Sequence, residues 1–246
     1  MLQQPLINKL MELRLDGMVR ALQEQMESSQ YEAFSFLDRL GLMIDREMVH
    51  RDNKRLQTRL KKARLRYNAT IEDIDFRAPR GLDKQMILFL SNCQWIRERQ
   101  NCIIIGPTGV GKTYLANALA NRACRDGYTA QYARISVLVE DLTIARADGR
   151  YRSLMHAYAR TDMLILDDWG LIGMTEDERR IIFDVIEDRA ELKSTIIVSQ
   201  IPIEKWHTII GDFTLGDALL DRIVHSSHKI ILKGESLRKK KKALSE

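Results

Sequence analysis

One octapeptide, Gly106-Pro107-Thr108-Gly109-Val110-Gly111-Lys112-Thr113, constrains this chain more than any other feature. It matches GxxxxGK(S/T) at every fixed position, a pattern that works only as a turn between a buried strand and the start of a helix. The backbone N–H groups of such a turn wrap a polyphosphate, so side chains must be absent where the chain comes close. Gly106, Gly109 and Gly111 meet that need, and the following helix aims its positive end at the anion. Lys112 can reach β- and γ-phosphates, and Thr113 offers a hydroxyl to Mg²⁺. The flanks agree: Cys102–Ile105 is a short apolar run that predicts a buried strand, and Tyr114–Arg125 reads as helix. ATP and Mg²⁺ are the expected ligands.

Beyond the loop, short apolar runs alternate with helical stretches. Tyr128–Tyr132, Met163–Leu166 and Thr195–Ser199 predict further strands, and Ile135–Ala147 and Glu176–Glu191 predict helices. This alternation implies an α/β fold, a parallel sheet with helices on both faces. Ligands of such sheets lie at the carboxyl ends of the strands. Asp167 emerges there and would hold Mg²⁺ through water. Asp168 could polarise the attacking water as a general base, although an Asp pair after a strand can also serve as a helix N-cap. Ser199-Gln200 ends the next strand. Either side chain could orient water, and strand-end capping is the plainer alternative.

Residues 1–70 differ in character. They are rich in Leu, Met, Arg, Glu and Gln, and their only helix breakers are Pro5, Gly17 and Gly41, which indicates a small all-helical domain. Val49–Tyr67 is the clearest helix: Val49, Leu56, Leu60, Ala63 and Tyr67 form one stripe, and Arg51, Arg55, Arg59, Lys62 and Arg66 form another. The stretch NATIEDIDFRAP then breaks the pattern. We divide the chain into 1–70 (helical), 71–79 (linker), 80–235 (α/β) and 236–246 (basic tail).

Net charge is +5, and it is concentrated: residues 50–66 hold eight Lys/Arg against one Asp, and residues 229–246 hold seven Lys/Arg against two Glu. A polyanion partner needs such patches, whereas a solvated face and solubilising tail would also account for them. No zinc-finger, helix-turn-helix or RNA-binding aromatic signature is evident, so phosphate contact is expected rather than base readout. The candidate DNA contacts are Arg51, Arg55, Arg59, Lys62 and Arg66, with Lys239, Lys240, Lys241 and Lys242 as an electrostatic tether. No apolar run approaches the 18 residues needed to span a bilayer, and the N-terminus does not read as a secretory signal. Three cysteines without metal spacing suggest reduced thiols and a cytoplasmic setting.

The order GPTGVGKT, LILDDWG, VSQIPIEKW, DALLDRIVH and KGESLRKK resembles, over essentially the whole chain, the IstB family of transposition helper ATPases. This family lies within the AAA+ superfamily, near the DnaA initiator and the DnaC helicase loader. The resemblance implies a P-loop AAA+ core and an ATP-dependent homo-oligomer on double-stranded DNA that recruits and stimulates a cognate transposase in insertion-sequence transposition. By position it makes Lys112 and Thr113 phosphate and Mg²⁺ ligands, Asp167 the metal carboxylate, Asp168 the catalytic one, and Ser199 or Gln200 the first sensor. Arg222 lies where related proteins place an arginine finger acting on a neighbour's ATP; a salt bridge on its own helix is the alternative. Many AAA+ proteins have Glu where this chain has Asp168, so slow hydrolysis stimulated by DNA or transposase is expected. Few residues follow His225, which leaves no room for the usual helical lid and makes Arg238 a weak candidate for a second sensor. The rival reading is a DnaC-like loader of the replicative helicase.

Overall fold

In the computed structural model of this chain the described residues are 3–170 and 173–237. The candidate DNA contacts Lys239–Lys242, and Arg238, lie outside them.

The N-terminal residues are helical throughout: α1 (Gln3–Glu12), α2 (Asp16–Glu27) and α3 (Phe36–Ala63), with a 3₁₀ turn at Ser29–Tyr31. Helix α3 begins well before the predicted Val49, because Ser35 and Asp38 cap it reciprocally. The Asp38 N–H donates to Ser35 Oγ at 3.2 Å and the Ser35 N–H to Asp38 Oδ2 at 3.3 Å. It ends at Ala63, short of the predicted Tyr67, because Arg64 turns left-handed with φ 50°. Helices α2 and α3 cross closely at Gly17, where a Cβ would lie 2.6 Å from Glu47 Cα. Buried Glu47 reaches across and accepts the Gly17 N–H at 2.7 Å and the Met18 N–H at 3.2 Å, satisfying the first turn of α2.

Contacts divide the chain into two compact units, residues 1–58 and 59–246. The division falls inside α3, earlier than the sequence boundary at residue 70. The reason is local: Arg59 Nε donates to Cys124 O at 2.8 Å, and the N–H groups of Arg66 and Tyr67 donate to Asn117 Oδ1. The stretch at 71–79 forms no helix or strand, and Ala69, Ile74 and Arg80 are buried in the second unit.

The second unit contains α4 (Lys84–Ser91), α5 (Gln94–Arg97), β1 (Asn101–Ile105), α6 (Lys112–Arg125), β2 (Ala130–Arg134), α7 (Ile135–Ala147) and α8 (Tyr151–Arg160). It continues with β3 (Met163–Trp169), α9 (Glu176–Glu187), β4 (Ser194–Ser199), a 3₁₀ turn at Ile203–Lys205, α10 (Trp206–Ile210), α11 (Phe213–Val224) and β5 (Ser227–Ile231). The strands form one parallel five-stranded sheet in the order β2-β3-β4-β1-β5. Strand β5 escapes a hydropathy reading because it is an edge strand of sequence SHKII, half exposed and half polar. Helix α9 opens on a capping box between Thr175 and Glu178.

Both faces of the sheet are buried, which is why its central strands read as unbroken apolar runs. One face sets Ile103, Ile105, Leu164, Leu166 and Ile197 against residues of α7, α9 and α11. The other carries Cys102, Ile104, Ile165, Ile196 and Val198, all nearly inaccessible, and α6 packs on β1, β2, β3 and β4. All three cysteines are free and buried. Buried Arg189, which the hydropathy pattern gives no sign of, ties the sheet's rim: it donates to Thr195 Oγ1 at 3.1 Å, to Thr161 O at 2.8 Å and to the carbonyls of Tyr158 and Ser194. No helix of the described residues is long and apolar enough to cross a membrane.

Candidate functional site

Strands β1, β3 and β4 lie side by side, so the segments leaving their carboxyl ends converge. They enclose a polar cavity of about 240 Å³ lined by residues that include Thr108, Gly109, Lys112, Thr113, Asp167, Asp168, Ser199 and Gln200. A larger groove, about 650 Å³, runs beside α10 and α11 but contains none of these residues.

The loop between β1 and α6 has the backbone its sequence requires. Gly111 is the N-cap of α6 with φ 96°, and Gly109 has φ 83°, values that penalise any side chain. Both also face protein: a Cβ on Gly111 would lie 2.5 Å from Arg80 Nη1, and one on Gly109 would lie 2.1 Å from Ser236 Oγ. The glycines thus clear space for neighbouring segments as well as for a ligand. Arg80, which sequence reasoning passed over, is buried and donates from Nη1 to Val110 O at 3.0 Å and from Nη2 to Asp75 O at 3.1 Å. From the other side the Leu237 N–H donates to Gly109 O at 2.9 Å, and the Leu232 N–H to Ile105 O at 2.7 Å. A proline or glycine signal could not have disclosed this clamp, because it depends on residues far apart in sequence.

Lys112 is buried, and its Nζ donates to Gly106 O and Pro107 O, each at 2.8 Å. It bends back along the loop, an ammonium inside the turn. Thr113 Oγ1 donates to Asp167 Oδ2 at 2.9 Å, and Tyr132 Oη donates to the same oxygen at 2.8 Å. Asp167 is 1% exposed, and its Oδ1 accepts the Asp168 N–H at 2.9 Å. The carboxylate is therefore held by three donors, each from a different part of the site.

Asp168 follows in a left-handed backbone, φ 64°, where the β3–β4 register shifts between Leu166 and Trp169. The bulge turns the Asp168 side chain into the cavity while Trp169 returns to the sheet. Partial burial, then the adjacent Asp167 charge, raise the Asp168 carboxyl above its ordinary value; Arg66, Arg134 and Lys112 pull it back in part.

Ser199 and Gln200 separate into two environments. Ser199 is buried; its hydroxyl donates to Trp169 O at 2.9 Å and accepts the Ile201 N–H at 3.0 Å, which ties the end of β4 to that of β3. Gln200 is partly exposed and its Oε1 accepts from Thr108 Oγ1 of the loop. Trp206 locks the segment after β4: its Nε1 donates to Ile201 O at 2.9 Å and its ring lies 5.2 Å from that of Trp169.

The remaining candidates are spread out. Arg222, near the end of α11, pairs with Glu187 of α9, donates from Nη1 to Ala218 O at 2.9 Å and lies over the Phe183 ring. Its partner is thus on a different helix from the one expected of a simple intrahelical bridge. Its carbonyl accepts from Asn101 Nδ2 at 3.2 Å, at the start of β1, while the phosphate loop leaves the end of that strand. At roughly 3.3 Å per residue, the two ends of β1 are about 13 Å apart. Of the basic row, Arg51 pairs with Glu47 and Arg55 with Asp52, Arg59 holds the end of α6, Lys62 is exposed, and Arg66 lines the polar cavity.

The chain matches the family described as IstB-like ATP binding protein over residues 8–245. It is similar to an insertion sequence ATP-binding protein of Sinorhizobium fredii, 43% identical over 245 residues with 100% of each chain covered. It is likewise similar to one of Pseudomonas fluorescens, 47% identical over 203 residues, which are 82% of this chain and 88% of the relative. Among solved structures, the DnaC helicase loader matches at TM-score 0.56 and 22% identity, over 68% of this chain and 98% of the other. The DnaA initiator bound to AMPPCP and single-stranded DNA matches at TM-score 0.56 and 19% identity, over 74% of this chain and 56% of the other. At those identities the likeness is one of fold, a parallel α/β core. With a nucleotide-binding loop at the head of that core and a family match across nearly its full length, the chain belongs to the IstB-like ATP binding proteins.

Proposed function

We propose that this protein is an ATP-hydrolysing assembly factor that binds duplex target DNA as a homo-oligomer and recruits and stimulates a transposase. The observation that carries this reading is the separation of two halves of one chemistry. Lys112, Thr113, Asp167, Asp168 and Gln200 converge at the carboxyl ends of the strands, while Arg222 lies by the start of β1 and cannot serve its own chain's cavity. An arginine so placed becomes useful on a neighbour's nucleotide, where it offsets charge on the transferred phosphoryl group. Its pair with Glu187 is partly solvent-exposed, and breaking such a pair costs only about 1 kcal/mol.

Within the cavity, the loop N–H groups and Lys112 bind the phosphates, and Gln200 orients water. Mg²⁺ fits the donors: Thr113 Oγ1 and Asp167 Oδ2 are adjacent oxygens that would hold it, Asp167 through water. When bound, such a cation would supply neutralisation of phosphate charge. Asp168 then takes the proton of the attacking water, and its raised basicity suits that task. The name shared by full-length relatives, insertion sequence ATP-binding protein, favours transposition over helicase loading. The exposed basic side chains and the tail supply sequence-independent, salt-dependent contacts to DNA phosphates.

The test is electron microscopy of the purified protein on duplex DNA with and without ATP, together with pull-downs against transposase and replicative helicase. ATP-dependent assemblies on duplex DNA and transposase capture are expected. Helicase capture with no assembly on duplex DNA would overturn the reading.

A further inference from the structure

Arg66 lines the polar cavity, yet the loop, the paired aspartates and Gln200 already account for the expected ATPase parts without it. It follows the end of α3 by three residues. Its backbone is fixed to the helix that carries Lys112 and Thr113: the Arg66 N–H donates to Asn117 Oδ1 at 2.8 Å and the Tyr67 N–H to the same oxygen at 3.3 Å. Asn117 is fully buried on α6, and its Nδ2 donates to Thr113 O at 2.6 Å. The position of Arg66 is therefore set against the phosphate loop's own helix.

The side chain is aimed as well as anchored. Its guanidinium lies over the Tyr67 ring, 5.6 Å from the centroid, and the side chain lines the same cavity wall as Thr113 and Asp167. Asp167 does not need Arg66 as a counter-ion, because Thr113, Tyr132 and the Asp168 N–H already serve it. A guanidinium carries five N–H donors in a planar fork suited to phosphate oxygens. The cavity wall holds three cations, Arg66, Lys112 and Arg134, against the two carboxylates Asp167 and Asp168, an excess that suits an anionic occupant. Asn117 ties the Arg66 backbone to that of Thr113, the residue beside which the β- and γ-phosphates and their metal lie in a loop of this kind.

We infer that Arg66 binds the terminal phosphate of a nucleoside triphosphate held on the loop of the same chain, and so makes the site discriminate triphosphate from diphosphate. This rests on reading the cavity as a phosphate site and goes beyond it by assigning a ligand to a residue of the basic row. The terminal phosphate is thereby bound by the peptide directly after α3, the helix that carries that row.

The experiment is equilibrium titration of AMPPNP and ADP, each with Mg²⁺, into the full-length protein and its R66A, R66Q and R66K variants. A charge-assisted bond lost from the terminal phosphate predicts affinity for AMPPNP about 10- to 100-fold lower in R66A and R66Q. Affinity for ADP should fall less than about threefold, and R66K should recover part of the loss. Equal weakening of both nucleotides, or no weakening of AMPPNP, would overturn the inference while leaving the phosphate site intact. If the wild-type chain binds neither nucleotide, the phosphate reading itself fails, and this inference with it. R66Q keeps the bulk and polarity of the side chain, and thermal melting of each variant separates a folding defect from a binding one.

Discussion

The Asp168 backbone offers a reason for Asp where many AAA+ proteins have Glu. A left-handed residue in a bulge favours the short Asp or Asn side chain. D168N should therefore keep the fold and nucleotide affinity while phosphate release falls at least ~100-fold; release at the wild-type rate would remove Asp168 from the base role. D168E should not speed hydrolysis, and should cost roughly 1 kcal/mol of stability through the backbone, which thermal melting would register. Ser199 and Gln200 divide in the same way. Q200A should slow hydrolysis about tenfold or more with an unchanged melting temperature. S199A should instead lower the melting temperature by a few degrees, because a buried hydroxyl joining two strand ends is lost. The reverse pattern would exchange their roles.

At the scale of elements, the α2–α3 crossing depends on a glycine and a carboxylate that no local pattern distinguishes from surface residues. Gly17→Ala should force the helices apart, costing about 1–3 kcal/mol. Burial alone would raise the Glu47 carboxyl, but the bonds from Arg51 and from the Met18 and Gly17 N–H groups outweigh it and hold the group below its ordinary value. A depressed folded-state pKa adds stability that is fully present above the ordinary carboxylate value of about 4.3 and is lost as pH falls through the depressed one. Melting of the wild type should thus show an acid-side loss that E47Q lacks, E47Q being less stable at neutral pH. Identical pH profiles for the two would show that Glu47 contributes nothing to that slope. The helix ends teach a related lesson. The apolar stripe located α3, whereas its start depended on Ser35 and Asp38 and its end on the left-handed Arg64.

For the whole molecule, the decisive feature is that Arg222 and the polar cavity lie at opposite ends of β1. If a neighbour's arginine completes each site, R222A and K112A chains should each be nearly inactive alone. Mixing them should restore hydrolysis, because an R222A chain keeps a sound phosphate loop and a K112A chain lends it Arg222. A mixture no more active than its components would remove the shared-site arrangement. Phosphate release across mixing ratios is the measurement.

The sequence by itself determined the strand–loop–helix at Gly106–Thr113, the parallel α/β core and the carboxylates of β3, because each follows from short-range rules: glycine where φ is positive, apolar runs where both faces are covered, polar residues at strand ends. It also carried the family resemblance across the chain. Tertiary structure decided what those rules cannot reach. Edge strand β5 pairs through its backbone while its side chains look like surface. Arg80 and the 232–237 segment close on the loop from distant parts of the chain. Arg66 belongs by spacing to a helical row of cations, yet α3 stops at Ala63 and Asn117 holds the following peptide against α6. Its side chain thus lines the polar cavity, because contacts distant in sequence, and not the helical period, set where that residue sits.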